Sequence, residues 1–341
     1  MRIRLDPWPS ETQSQQLELK PFERPVLQDL ESPRWEAVAP KPIPESLEYV
    51  SVVDGSPRME ARLTLEEGGR LFFGGYGAYA VGAVELDPHG RRPAVLRHVA
   101  AKRILATGGD LRLDPTPLSP RNPHTGDLIY HCVSLPENTV DTPRHVLQRA
   151  MLEAEQNLSH DLSSNVEEID EEGAPLTTLT LQDGPVRGRN SGRAVLGYVK
   201  TLQTQYLSSD REYLLAELKP GERTPVIHFN YPGEEQGRYS WYVRLCDAAP
   251  YQHVFAGVMR LEMHAPHETD RIPRSVQLIA DLSGELLCRL ASRPHKDPRA
   301  PQNLIPTHAL EVAVRRAMGD PALVMRRIRQ HVMHTLGKET A

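Results

Sequence analysis

Cysteine is scarce in this chain. Only Cys132, Cys246 and Cys288 occur in 341 residues, and no Cys-x-x-Cys pair exists, which argues against a structural zinc site. A sparse, odd count fits a reducing cytoplasm. No apolar run is long enough to span a bilayer. The start, Met1-Arg2-Ile3-Arg4-Leu5-Asp6-Pro7, lacks the apolar region of a signal peptide, so a cytoplasmic protein with no membrane association is expected. An excess of positive charge is also missing. The net charge is −5, so any nucleic-acid binding must rely on local clusters. These occur at Arg91-Arg92, Arg187 to Arg193, Arg289 to Arg299 and Arg315 to Arg329, although each also reads as a solvated face. No Walker P-loop is present, so ATP hydrolysis is not expected. No Gly-x-Ser-x-Gly elbow supports Ser56 or Ser191 as a nucleophile. Gly74-Gly75-Tyr76-Gly77 is followed by neither a helix start nor a lysine and reads as glycine-bearing strand. In His264-Ala265-Pro266-His267 the proline breaks helical spacing, and the segment reads as a loop.

What is present divides the chain into three parts. Residues 1–46 form an arm rich in Pro, Gln and Glu. Its scattered Trp8, Phe22, Leu27, Leu30 and Trp35 are able to dock on the body or on another chain. Residues 47–320 carry the main domain, with inserted loops. Residues 321–341 read as a basic amphipathic C-terminal helix.

Within the main domain, one strand ends at Asp54. A second spans about Met59 to Leu65, with a turn at Glu66-Glu67-Gly68-Gly69. A third spans Leu71 to Leu86 and ends at Asp87-Pro88-His89-Gly90. Residues 101–140 read as a Pro- and Gly-containing connection whose elements the sequence leaves open. A helix is predicted over 142–160, opened by Thr142-Pro143, with Val146, Leu147, Ala150, Met151, Ala154 and Leu158 in one stripe. A strand over Thr177 to Gln182 delivers Asp183, and Ala194 to Val199 is the next strand, ending at Lys200. Glu212 to Leu218 reads as a short helix. Two strand-like runs lie in 239–263. Residues 274–290 fit strand or helix. Two helices close the chain, from Pro306-Thr307 to Met318 and from Asp320-Pro321 onward.

Asp54 and Asp183 each close an apolar run and are each followed by glycine. A carboxylate held at the rim of a sheet is a hard oxygen ligand suited to Mg²⁺ or Mn²⁺. Two such strands side by side would hold two metals for in-line attack on a phosphodiester. Asp-Gly is also among the commonest turn dipeptides, so the order of elements has to carry the argument. That order is strand with Asp54, antiparallel strands, helix with Glu153 and Glu155, strand with Asp183, then a helix opening with His308. It is the layout of an α/β, RNase H-like mixed β-sheet flanked by helices. Glu153 and Glu155 lie about equally far to either side of the helix stripe, and periodicity does not choose between them.

Val53-Asp54-Gly55-Ser56, Leu181-Gln182-Asp183-Gly184-Pro185, Gly197-Tyr198-Val199-Lys200, Arg260-Leu261-Glu262 and Ile305-Pro306-Thr307-His308-Ala309 resemble, in order and spacing, the motifs of the NurA nucleases. The resemblance covers about residues 47–320. It implies a Mn²⁺-dependent DNA nuclease, with Mg²⁺ as the alternative metal. It also implies 5′-3′ exonuclease and single-strand endonuclease action in DNA-end resection and recombinational repair. The implied partners are single-stranded DNA, double-stranded DNA ends, a hexameric HerA-type helicase-translocase and a second copy in a homodimer. Carried over residue by residue, Asp54, Glu153, Asp183 and His308 match the metal-holding set, with Glu153 taken on the Arg149-x-x-x-Glu153 pattern. Asp54 would bridge the metals, Asp183 and Glu153 would complete the ligand sets, and His308 would ligate a metal or orient phosphate or water. Lys200 is a candidate phosphate contact or an exposed strand-end lysine, and Arg260 and Arg244 are weaker phosphate candidates. The rival readings are a catalytically silent DNA-binding or scaffold subunit, another RNase H-like enzyme such as an RNase or resolvase, and a phosphohydrolase of small substrates.

Overall fold

The structure, a computed structural model, describes residues 20–120, 126–186, 191–200, 202, 204–231, 237–247, 254–264, 271–292 and 304–339. Its strands are β1 Lys20–Pro21, β2 Val26–Leu27, β3 Tyr49–Glu67, β4 Arg70–Leu86, β5 Val95–Gly108, β6 Thr116–Leu118 and β7 Leu128–Leu135, then β8 Thr178–Asp183, β9 Val195–Val199, β10 Thr204–Gln205, β11 Ile227–Phe229, β12 Arg238–Arg244 and β13 Val258–His264. Its helices are α1 Thr142–Asp161, α2 Val166–Glu171, α3 Ser209–Glu217, α4 Arg274–Leu290, α5 Ile305–Ala317 and α6 Pro321–Glu339. No helix among the described residues is long and apolar enough to cross a membrane.

An 11-stranded mixed sheet has the order β2-β11-β12-β13-β9-β8-β3-β4-β5-β7-β6. Within it, β3 runs parallel to β8, and β8 parallel to β9. The central order β9-β8-β3-β4-β5 is the RNase H-like arrangement expected from the element order. Gly68 and Gly69 both have positive φ (58° and 73°). A two-residue loop of that geometry matches the twist of antiparallel strands, and it closes the β3–β4 hairpin.

Two sequence expectations are corrected. First, β3 does not end at Asp54. It continues through Gly55 for 19 residues in all, so Asp54-Gly55 is mid-strand and not a turn. Second, residues 101–140 are not mere connection, because they contain most of β5 and all of β6 and β7. The described part of the arm pairs with the body, one of the two options its sequence left open. β1 pairs with β10, β2 pairs with β11, and Val38 exchanges backbone hydrogen bonds with Arg223. The segment 274–290 resolves as helix, since its buried Val276, Ile279, Ala280, Ser283, Leu286 and Leu287 recur at helical spacing.

The chain divides into two compact units. The first comprises Met1–Val53, Val84–Val95 and Gln156–His308. Its core sets Val50, Val52, Leu179, Leu181, Leu196 and Tyr198 on one sheet face with α4. The indole of Trp241 donates to Ser283 at 3.0 Å, which satisfies the one polar atom of a fully buried ring. Asp281 on α4, Glu31 of the arm and fully buried Arg223 form an ion-pair group with distances of 2.6–2.7 Å. The second unit comprises Asp54–Ala83, Leu96–Glu155 and Ala309–Ala341. There Tyr76, Leu105, Leu118 and Tyr130 pack with Val324 and Ile328 of α6, which accounts for the apolar side of that basic helix. Arg58 and Arg103 donate to the carbonyl of Met318 at 2.9 Å, and Arg58 also donates to that of Gly319. These bonds satisfy acceptors left open where α5 ends.

Candidate metal and phosphate site

In the first unit the site is built on the ends of β8 and β9. The parallel register pairs Val53 with Gln182 and Asp183 with Tyr198. Side chains alternate along a strand, so Val50 and Val52, Leu179 and Leu181, and Leu196 and Tyr198 share one face. Asp183 and Lys200 continue the rows of β8 and β9 on that face. Their side chains meet in a salt bridge of 2.8 Å, with 34% of the Asp183 side chain and 18% of the Lys200 side chain exposed. The Lys200 ammonium also lies 5.4 Å from the centre of the Tyr198 ring. The pair is thus partly exposed. The tyrosine hydroxyl, on a fully buried ring, is 2.9 Å from the Thr307 hydroxyl at the start of α5. His308 is the next residue and is exposed.

Gly184, with φ of +83°, turns the chain directly after Asp183, so here the Asp-Gly reading as a turn holds. The turn folds back onto Gly197, where an added Cβ would lie 2.7 Å from the Gly184 oxygen and 2.9 Å from the Val186 nitrogen. The Val186 N–H donates to Glu262 at 2.9 Å. Glu262 is fully buried and also takes ion pairs from Arg238 and Arg260. That arrangement gives the glycine and the glutamate of two sequence motifs a structural task, which is holding the turn behind Asp183.

In the second unit, Asp54 is buried (8% exposed). The buried row of α1 is Leu147, Met151, Glu155 and Ser159, each one turn from the last. Glu155 belongs to this row and Glu153 is exposed. A Cβ at Gly55 would lie only 2.7 Å from Glu155 Oε1. The glycine after Asp54 therefore lets the helix carboxylate approach the strand backbone. Glu153 lies on the side of Tyr79, whose hydroxyl pKa is pushed up by burial and then by the Glu153 charge.

The phosphate-contact expectation for Arg244 and Arg260 requires exposed guanidinium groups, and both are buried, at 3% and 4% exposure. Arg244 donates to the carbonyls of Leu215, Val254 and Ala256. Arg260 pairs with Glu262 and lies 4.6 Å from the Tyr206 ring centre. Burial lowers its pKa, but the Glu262 charge leads a larger set of opposing effects and the guanidinium stays charged. These arginines are therefore bonded inside the protein and not presented to a ligand. Parts of three sequence expectations lie outside the described residues: 187–190 of the basic turn, 293–299 of the basic loop and 265–267 of the His-Ala-Pro-His segment.

Carboxylate oxygens on rigid strands and a helix suit a hard divalent cation such as Mg²⁺ or Mn²⁺. Among the described residues, no group of three or more His, Cys, Asp or Glu side chains is disposed to hold a metal by itself. Sites for such ions are commonly completed by water and substrate phosphate, and the donor set fits that kind of ion. Tyr198, Thr307, Gly55 and Gly197 had no assigned role in the sequence reading. Each nevertheless sits inside a quoted motif, and that was the available signal.

A family model described as the NurA domain matches residues 51–312. No curated protein matches the chain. Among solved structures, the crystal structure of the NurA nuclease from Sulfolobus solfataricus is similar at 11% identity, with 88% of each chain covered and a TM-score of 0.43.

Proposed function

Since this chain belongs to the NurA nuclease family, we propose that it is a divalent-metal-dependent DNA nuclease acting at DNA ends and on single strands, with 5′-3′ polarity. The observation that carries this reading is the parallel register of Val53 with Gln182, after which each strand continues with an aspartate. We assign the helix carboxylate to Glu155 in place of Glu153, and retain Asp54, Asp183 and His308. The β3–β8 ladder ends at Val53 and Gln182.

Asp54, Glu155 and Asp183 would hold Mn²⁺ or Mg²⁺, which supplies Lewis acidity for hydrolysis of a phosphodiester. Lys200 holds Asp183 in place through its salt bridge, and its ammonium would neutralise a phosphate oxygen brought to the partly exposed strand ends. Glu262 keeps the turn behind Asp183 from shifting by accepting the Val186 N–H. His308 orients phosphate or water. No P-loop occurs in the sequence, so movement along DNA is assigned to a HerA-type hexameric ATPase, with the nuclease working as a homodimer in resection and repair.

The test is cleavage of end-labelled single- and double-stranded DNA with Mn²⁺, Mg²⁺ or EDTA, for wild type, Asp54→Ala and Asp183→Ala. The expected result is metal-dependent cleavage that EDTA and both substitutions abolish. Equal DNA binding by all three proteins without cleavage, even with a HerA-like ATPase added, would replace the nuclease by a silent binding subunit.

A further inference from the structure

Two motifs that are far apart in the sequence meet at one hydrogen bond. Tyr198 on β9 and Thr307 on α5 are both 0% exposed, and their hydroxyls are 2.9 Å apart. Tyr198 is also the register partner of Asp183, and its carbonyl accepts the Gly184 N–H at 3.0 Å. Its ring lies beneath the Lys200 ammonium. One residue thus meets the aspartate strand through its backbone, and the lysine and the helix start that carries His308 through its side chain.

We propose that Tyr198 is a positioning residue, which fixes His308 relative to Asp183 and Lys200 through the Thr307 hydroxyl. The proposal rests on the metal-site reading of Asp183 and His308. Its physical basis is the cost of leaving a buried hydroxyl unpaired. In this fully buried location each hydroxyl has a strong reason to seek the other, and the helix start is held in one rotational setting. Phenylalanine would support the ring packing equally well. The bond to the helix start would be lost while the ring packing stays, so the expected effect is on function more than on folding.

The experiment compares wild type with Tyr198→Phe, Thr307→Val, Thr307→Ser, His308→Ala and the Tyr198→Phe/His308→Ala double variant. Three readouts are taken: kcat and KM for DNA cleavage at saturating Mn²⁺, Mn²⁺ binding without DNA by the electron paramagnetic resonance of free Mn²⁺, and thermal unfolding in EDTA. Misplacing a reacting group by about 1 Å costs up to about 100-fold in rate. Tyr198→Phe and Thr307→Val are therefore expected to lose about ten- to hundred-fold in kcat with KM little changed. They should also bind Mn²⁺ more weakly, while Thr307→Ser restores both. In the His308→Ala background Tyr198→Phe should add nothing further, because the two changes act on one link. A wild-type Tyr198→Phe beside a defective His308→Ala overturns the link alone. So does a Tyr198→Phe defect that multiplies with that of His308→Ala. A His308→Ala protein with wild-type cleavage and Mn²⁺ binding overturns the reading of His308 and the link with it.

Discussion

Gly55→Ala is the sharpest test of the idea that a helix carboxylate works beside Asp54. An alanine Cβ there would lie 2.7 Å from Glu155 Oε1, 3.0 Å from Val81 Cγ1 and 3.1 Å from Met151 Cγ. Ordinary contacts start near ~3.5 Å, so the carboxylate must retreat by about 0.8 Å or rotate away. Two of the three obstructing atoms belong to flexible side chains, and the fold can absorb the change. Overpacking costs about 1–3 kcal/mol. Alanine in an extended strand recovers about 0.4–1 kcal/mol by restricting the unfolded chain. The net loss of stability should therefore stay within about 2.5 kcal/mol. The displaced carboxylate should cost far more in function, up to about 100-fold in cleavage rate. Urea unfolding in EDTA measures the first quantity, and Mn²⁺-dependent cleavage of labelled DNA measures the second. A Gly55→Ala protein that cleaves at the wild-type rate with an unchanged Mn²⁺ response would show that the position of Glu155 does not matter to catalysis.

The remaining expectations are briefer. Glu155→Gln should abolish cleavage, whereas Glu153→Gln, at an exposed position, should reduce it by less than about threefold and change stability by under ~0.5 kcal/mol; parallel rate assays decide between them. Arg223→Ala strips the partner from Glu31 and Asp281 and should destabilise the protein by about 3–5 kcal/mol in urea titrations. Burial raises the Glu31 carboxyl pKa, but Arg223, Gln277 and the Val226 N–H outweigh it and the net shift is downward. Burial likewise raises Asp281, and Lys41 with Arg223 outweighs it. A folded-state pKa below the unfolded value near ~4 gives stability that is present above that value and lost as pH falls through the folded one. Urea midpoints at successively lower pH should therefore fall steeply for wild type, and a wild-type-like slope in Arg223→Ala would refute this account of acid sensitivity.

Much of the architecture was legible because it depends on local rules. Thr142-Pro143 and a 3.6-residue stripe specify α1. Two glycines able to take positive φ specify the β3–β4 turn, and Gly319, also at positive φ, with the Asp320-Pro321 start separates α5 from α6. Motif order alone pointed to the family and to Asp54 and Asp183. Tertiary packing decided the rest. Asp-Gly looks the same in a sequence whether it makes a turn, as at Asp183, or runs on through a strand, as at Asp54. Only neighbouring strands and the approach of α1 distinguish the two. Periodicity places Glu153 and Glu155 symmetrically about the α1 stripe, and the choice depends on which row of the helix meets β3. An arginine in a strand reads as surface until Glu262 is found buried beside Arg238 and Arg260. The Tyr198–Thr307 bond spans 109 positions. Local propensity acts over a few residues, whereas burial and hydrogen bonding act wherever the folded chain brings groups together.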